Sequence, residues 1–580
     1  MKKTARVLSL ILCMAMVFSF VACNQKTESQ KFDEFCKQEY IEYVTGDTLT
    51  LHYSVKDPKA MGITEKEPTF GNFNLEEIKK EIANIETEIK KLSEFKRSEL
   101  SKQQQLTYDI IMESLKTEQK AKGFEYYSSN FTPIGGFQSN IQTNFVEYTF
   151  YNKQDVSNYI ALLNQFDSYV NKLLDFEKER AEKGFGLRDD ILDKSIEQCK
   201  EFIAPQENCL ITVFNEKVVD VKDLTDAEKT EFKEANKKAV NEKIVPTYQS
   251  IIKELTNLKG KCKNQDGLVK FENGKAYYEY LVEKKVGSEK TVAEIAKAID
   301  TDLLSQITVL QKLIQADASV LMSFDKAKVN ITDPKAMIDD LKGKISKGYP
   351  EYPDVNLNIK PIYKSIENDN ILGYCLVPPV DDQSNNSIRI NETASKDNAL
   401  GLYNLMAHEG YPGHLYQMTY FNATKPDHIR SALDFIGYSE GWATYVERES
   451  FEFAQLGGEA LTTLMQINDA LDLGFACRID IGVNYEGWDV AKVNEYLTGF
   501  GLGSEEMALS LYQTVIGDPA AFLPYYVGCL EVIELENYTK DELGDKFDIK
   551  EFRKAFLDCG PAPFGIVKQE VQKYIDSKKK

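Results

Sequence analysis

Histidine is scarce in this chain. Of 580 residues only four are histidine, His52, His408, His414 and His428, and only two are tryptophan, Trp442 and Trp488. A site that needs several imidazoles can therefore be built in very few ways. Positive charge is in deficit as well: 70 Lys and Arg stand against 91 Asp and Glu, a formal net charge of −21. A chain this acidic repels phosphate backbones, which argues against nucleic acid as a partner. The ten cysteines form no CxxC pair and are widely scattered. They read as small buried residues rather than a zinc ribbon or a dense disulfide scaffold. Beyond the first two dozen residues no apolar run approaches the ~18 to 20 residues of a membrane span. Internal repeats and low-complexity domains are also lacking.

The N-terminus does carry an apolar run. Lys2, Lys3 and Arg6 precede it, it extends from Val7 to Val21, and Ala22-Cys23 follows, with Phe20 three places before the cysteine. This order reads as a secretory signal over 1–22 ending in a lipobox. Cys23 is then the expected lipidated first residue, with a polar tether over 23–31 and an extracytoplasmic location on a bacterial membrane. An ordinary secreted chain or an uncleaved anchor is the alternative.

The remainder divides by character into 32–346 and 347–580. The first region is helical in pattern. Asn74 to Glu77, Ser101 to Gln104, Thr225 to Glu228 and Thr291 to Glu294 each have the spacing of a capping box. Apolar residues then recur at three and four, as in Ile295, Ile299, Leu303 and Ile307. Helices are expected over about 74–130, 153–202, 225–260 and 291–345. "FTPIGGFQSN", 131–140, is expected to be a packed loop. His52 reads as a strand residue and His428 as part of a surface loop. From 347 the chain becomes proline-rich and extended, and "GYCLVPP" and "SIRIN" predict a β-hairpin over 373–391. The expected fold is mainly α, a large helical body with a deep cleft and a small β element beside the helix that carries His408.

"HEGYPGH", 408–414, is where chemistry concentrates. On an ideal helix, residues six apart lie about 240° around the axis from each other and could not share a metal. Pro412 cannot donate to a helical carbonyl and its ring clashes there, and Gly413 permits backbone angles denied to other residues. A break or bulge is therefore expected, which would bring His414 back beside His408 and leave Glu409 next to the metal. Two unrelated loop histidines are the plainer alternative. "GYSEGWATYVERES" supplies acids: Glu440 and Glu447 lie seven apart on one helix face. Two histidines and Glu440 would leave one position of a zinc ion open to water, the layout of a hydrolytic site. Tyr525 and Tyr526 in "LPYYVG" are candidate oxyanion donors, with core aromatics as the bland reading. Arg478 can bind a peptide carboxylate or a structural acid such as Asp480. The edge of the hairpin can pair with an extended peptide or be merely structural.

These segments also carry a resemblance. "AHEGYPGHLYQ", "YSEGWATYVE" and "ACRIDIGVNYEGW" resemble the domain-of-unknown-function 885 family, and "PIGGF", "YCLVPP…IRIN" and "PAAFLPYYVGCLEVIEL" fit its pattern. The family in turn is similar to helical zinc metallopeptidases with a glutamate ligand. The resemblance implies Zn2+ on His408, His414 and Glu440, Glu409 as general base, and a peptide as substrate. Two departures stand out. Asn484 occupies a place where the family usually has histidine, and Ala476 occupies the usual arginine place, with Arg478 two residues later. Asn484 favours the rival expectation, a catalytically inactive peptide-binding lipoprotein on the same fold.

Overall fold

The computed structural model describes residues 26–364, 366–367 and 371–580. The signal, Cys23 and the first part of the tether lie outside the described residues. The first described helix, Glu28–Val44, starts inside the stretch expected to be tether. Thr27 and Gln30 close a capping box around its first turn.

The fold is mainly α, as expected, with one small sheet. Local capping explains most helix starts. Ser101, Thr225 and Thr291 each form the full reciprocal box, whereas Asn74 caps Glu77 N without the return bond. Three of the four expected helices are broken into shorter pieces. The first expected helix splits into Leu75–Ser93 and Lys102–Gln119, and the second into Lys153–Lys183, closed by left-handed Gly184, and Asp189–Ile203. The third runs through a π turn, Val240–Ile244, to Leu258. The fourth ends at Ala316, tightens into a 3-10 helix over Ala318–Lys326 and resumes as α-helix only at Pro334. In 131–140, Phe131 is buried, Ile134 is exposed, and the Ile134 and Gly135 amides donate to the Asp518 carboxylate. His52 is a correction: it lies in the helix Thr48–Ser54, which Asp47 caps by accepting from Thr50 N. Its ring stacks on Tyr148 at 3.6 Å. His428 is in an exposed surface turn, as expected.

The hairpin is present, as β2, Gly373–Leu376, and β3, Asn386–Ile390, antiparallel. The extended stretch before it adds β1, Leu357–Pro361, parallel to β3, so the order is β1-β3-β2 and β2 is an edge. The sheet packs on a core that includes Ile338, Ile388, Met406, Tyr411 and Trp442. Separate cores form around residues 131–258 and around 268–527. Among the described residues no helix is long and apolar enough to cross a membrane.

Candidate metal centre

His408 and Glu409 sit in a widened π turn, Met406–Gly410, that ends the helix Ala399–Leu405. Tyr411 N donates to Met406 O at 3.1 Å and Gly413 N to Ala407 O at 2.9 Å, so the ladder slips by one and then two residues. A new helix, His414–Ala423, starts at His414 itself. Gly413 is required by closeness rather than by φ: an added Cβ would lie 1.8 Å from His408 O. Trp442 Nε1 donates to Pro412 O at 2.9 Å and ties the break to the Glu440 helix, Ile436–Phe453. The helical rotation that separates the two histidines is thus undone, and their rings stand 4.9 Å apart.

Glu440 Oε2 lies 3.4 Å from His408 Nε2 and 3.3 Å from His414 Nε2. One ligand atom from each of the three side chains falls within 4.8 Å of the other two. Glu440 Oε2 is buried and has no aligned hydrogen-bond partner among the described residues. A buried carboxylate oxygen is rarely left so. Two imidazole nitrogens converging on it form a donor set that fits a metal ion. Behind His408, Glu447 Oε2 is 2.8 Å from Nδ1. That contact orients the ring so that Nε2 faces the centre, the usual role of an outer carboxylate at a metal-ligating histidine. The heptad spacing of Glu440 and Glu447 was visible in the sequence; the partner of Glu447 was not.

Glu409 is not one of the three. Its Oε2 accepts from the Cys375 amide of edge strand β2 at 2.8 Å. Burial raises its carboxyl above the ordinary range, although His408 and His414 oppose the shift. Burial also works to raise Glu440, but there the two imidazoles prevail and hold it well below that range. For His408 burial works downward, yet Glu440 and Glu447 keep it well above the usual imidazole value. The Glu440 helix and the helix Leu523–Leu543 cross at glycines: a Cβ on Gly441 would lie 2.4 Å from the Gly528 carbonyl carbon. This crossing delivers Tyr525, whose ring lies 6.5 Å from that of His408. Burial and then the charges of Glu440, Glu409 and Glu447 raise its phenol, so it stays protonated. Its hydroxyl makes no hydrogen bond among the described residues.

The other candidates lie elsewhere. Tyr526 turns away and donates to Asp302 at 2.6 Å. Arg478 is held by Asp300 at 3.0 Å and Glu486 at 3.1 Å, over the Trp488 ring, and makes no contact with the cluster among the described residues. Asn484 is fully buried and saturated: its amide donates to Asp480 and Val515 O and accepts from Leu268 N.

The fold and this cluster define a mainly helical protein with a candidate His–His–Glu metal centre. The chain belongs to the bacterial proteins of unknown function designated DUF885, whose family model matches residues 58–571. Two solved structures share the fold. A candidate lipoprotein from Colwellia psychrerythraea matches with a TM-score of 0.83 at 18% identity, over 95% of this chain and 100% of its own. A candidate lipoprotein of unknown function from Shewanella oneidensis matches with a TM-score of 0.65 at 16% identity, over 94% and 99%. No curated protein matches.

Proposed function

We propose that the protein is a zinc-dependent peptidase that hydrolyses short peptides outside the cytoplasmic membrane, anchored there by a lipid on Cys23. The observation that carries this reading is the convergence of His408 Nε2 and His414 Nε2 on the buried Glu440 Oε2, with the Glu409 carboxyl beside them. Zinc suits this mixed nitrogen and oxygen set, and when bound it supplies a lowered water pKa and polarisation of the scissile carbonyl. His408, His414 and Glu440 would hold it, with Glu447 fixing the His408 ring. Glu409, its carboxyl raised by burial, is suited to take a proton from the attacking water and pass it to the leaving amine. The Cys375 amide keeps that carboxylate aimed. Tyr525, kept neutral, can donate to the oxygen that gains charge. The edge of β2 outside the Cys375 amide, which Glu409 occupies, offers its remaining backbone groups to an extended peptide.

The rival reading, a peptide binder without chemistry, drew on Asn484. That amide is committed to three structural hydrogen bonds away from the cluster, so it gives no reason to expect lost activity. Anchoring is supported by Ala22-Cys23 after the apolar run, and the two fold neighbours are themselves described as candidate lipoproteins. A digest of a mixed peptide library, with wild type and Glu409→Gln at equal zinc, tests the reading. Wild type should cleave, and the variant should keep its zinc while losing at least ~10²-fold in rate. A wild type that binds peptides but cleaves none would hand the case to the binder.

A further inference from the structure

Glu147 is a buried carboxylate that no step of the proposed hydrolysis uses. It closes the helix Phe137–Glu147, in the part of the chain before the sheet. Its Oε1 accepts from the Tyr374 hydroxyl of β2 at 2.9 Å, and its Oε2 accepts from Arg389 Nη2 of β3 at 2.6 Å. Arg389 Nη1 donates onward to Pro361 O of β1 at 3.2 Å. One carboxylate and its arginine thus touch all three strands. Lys217 fixes the backbone on either side of Glu147, donating to Val146 O and, at 3.2 Å, to Tyr148 O. Burial and then the Glu147 charge raise the Tyr374 phenol, so it keeps the proton it donates.

The strand held in this way is the one that holds Glu409. Tyr374 stands opposite Arg389 in the ladder, and the next residue is Cys375, whose amide donates to Glu409 Oε2 at 2.8 Å. Strand β2 is four residues long and pairs with β3 alone, so its ladder fixes one side only. The N-terminal region supplies the rest. Glu147 holds the middle of the strand through Tyr374. The turn after it is held by 54–57: Val380 N donates to Ser54 O at 3.0 Å, and the Lys56 and Asp57 amides donate to the Asp381 carboxylate at 2.8 Å. Tyr53 OH donates to Asn144 O at 2.5 Å and joins the two supports. Neighbouring side chains on a strand point to opposite faces, so Glu147 acts on Glu409 through the backbone of β2 and not by contact.

We propose that Glu147 is a positioning residue: through Tyr374 it seats β2 so that the Cys375 amide keeps the Glu409 carboxylate aimed at the metal centre. The consequence for catalysis rests on the peptidase reading; the seating of the strand does not. Tyr374→Phe removes one hydroxyl and leaves the Glu147–Arg389 pair intact. Glu147→Gln would strip a buried arginine of its counter-charge and endanger folding, so the tyrosine variant carries the test, in zinc-loaded protein. Hydrogen–deuterium exchange at the Cys375 amide should quicken about tenfold, the scale of one bond to a charged acceptor, while amides in the helix Ile436–Phe453 keep their rates. In hydrolysis of a neutral peptide, kcat should fall about tenfold at unchanged KM and zinc content, since a misplaced group loses rate without losing binding. In a Glu409→Gln background the same substitution should cost little more, because the group it aims is gone. A hydroxyl that only stabilised the fold would lower the urea midpoint and leave both Cys375 exchange and kcat unmoved, which would overturn the proposal. An equal loss of kcat in the two backgrounds would overturn it as well. Quickened Cys375 exchange beside a wild type that hydrolyses nothing would contradict the peptidase and leave the positioning of Glu409 standing. An active wild type with exchange and kcat unmoved in the variant would do the reverse.

Discussion

Gly413 leaves no room for even one methyl group, because its neighbour is the His408 carbonyl oxygen and not a side chain that could swing away. Gly413→Ala should therefore unseat His408 or His414, with zinc lost and about 3 kcal/mol or more of stability gone, the range of backbone-driven damage. Zinc content and urea unfolding of the variant check this. Glu447→Gln makes a finer test: the amide keeps the shape but weakens the hold on His408 Nδ1, and zinc affinity should drop ~10- to 100-fold in chelator competition. The contrast between these residues and others shows what a sequence reveals. The two histidines, Glu409 and Glu440 were legible because so few histidines exist and because Pro412-Gly413 forces a break. Tyr525 and Tyr526 could not be told apart, since neighbours on a helix point about 100° from each other and only the glycine crossing decides which one reaches His408. The partner of Arg478, Asp300, is 178 residues away and nothing local announces it. "EGW" occurs twice, at 440–442 and 486–488, and the two copies serve different ends. Gly441 serves a helix crossing and Trp442 holds the Pro412 carbonyl. Gly487 is a left-handed stop at φ 83°, and Trp488 packs under Arg478.

Helix starts were readable because a capping box spans only four residues, and the β2–β3 hairpin because its turn is local. Strand β1 was missed as a strand: parallel pairing joins segments far apart in sequence and leaves no turn signal. His52 fell on the wrong element for a related reason. Thr-Leu-Thr-Leu has strand composition, but the Asp47 cap and stacking on Tyr148 prevail over propensity. The crossing of the Glu440 and Tyr525 helices is the element-level feature on which the site depends. A Cβ on Gly528 would lie 2.4 Å from Gly437 O, a backbone atom. Gly528→Ala should push the helices apart and cost about 1 to 3 kcal/mol, as overpacking does. Urea unfolding measures it, and an unchanged midpoint would mean that the crossing has slack.

Across the whole molecule, buried acids join distant segments. Asp480 accepts from Tyr278 at 2.6 Å, from Asn484 at 3.1 Å and from Ala520 N at 2.8 Å, so one carboxylate links three parts of the chain. Burial pushes its carboxyl up to about 6, against an ordinary 3.8, in spite of those bonds. A carboxyl raised on folding holds its proton longer in the native state, so its contribution is full below the ordinary value and is lost as pH rises to about 6. The difference is of order 3 kcal/mol. The stability of wild type relative to Asp480→Asn should accordingly fall by up to that amount from pH ~4 to pH ~7, read by urea unfolding at both ends. A pH-independent difference would contradict the burial argument. The central claim is narrower, and metal content tests it most directly. Mass-spectrometric zinc analysis of purified protein should give one zinc per chain for wild type and for His428→Ala, whose histidine is in a surface turn. His414→Ala should retain little, because it removes one of the two imidazoles that meet at Glu440 Oε2. Equal zinc in the His414 and His428 variants would contradict the account.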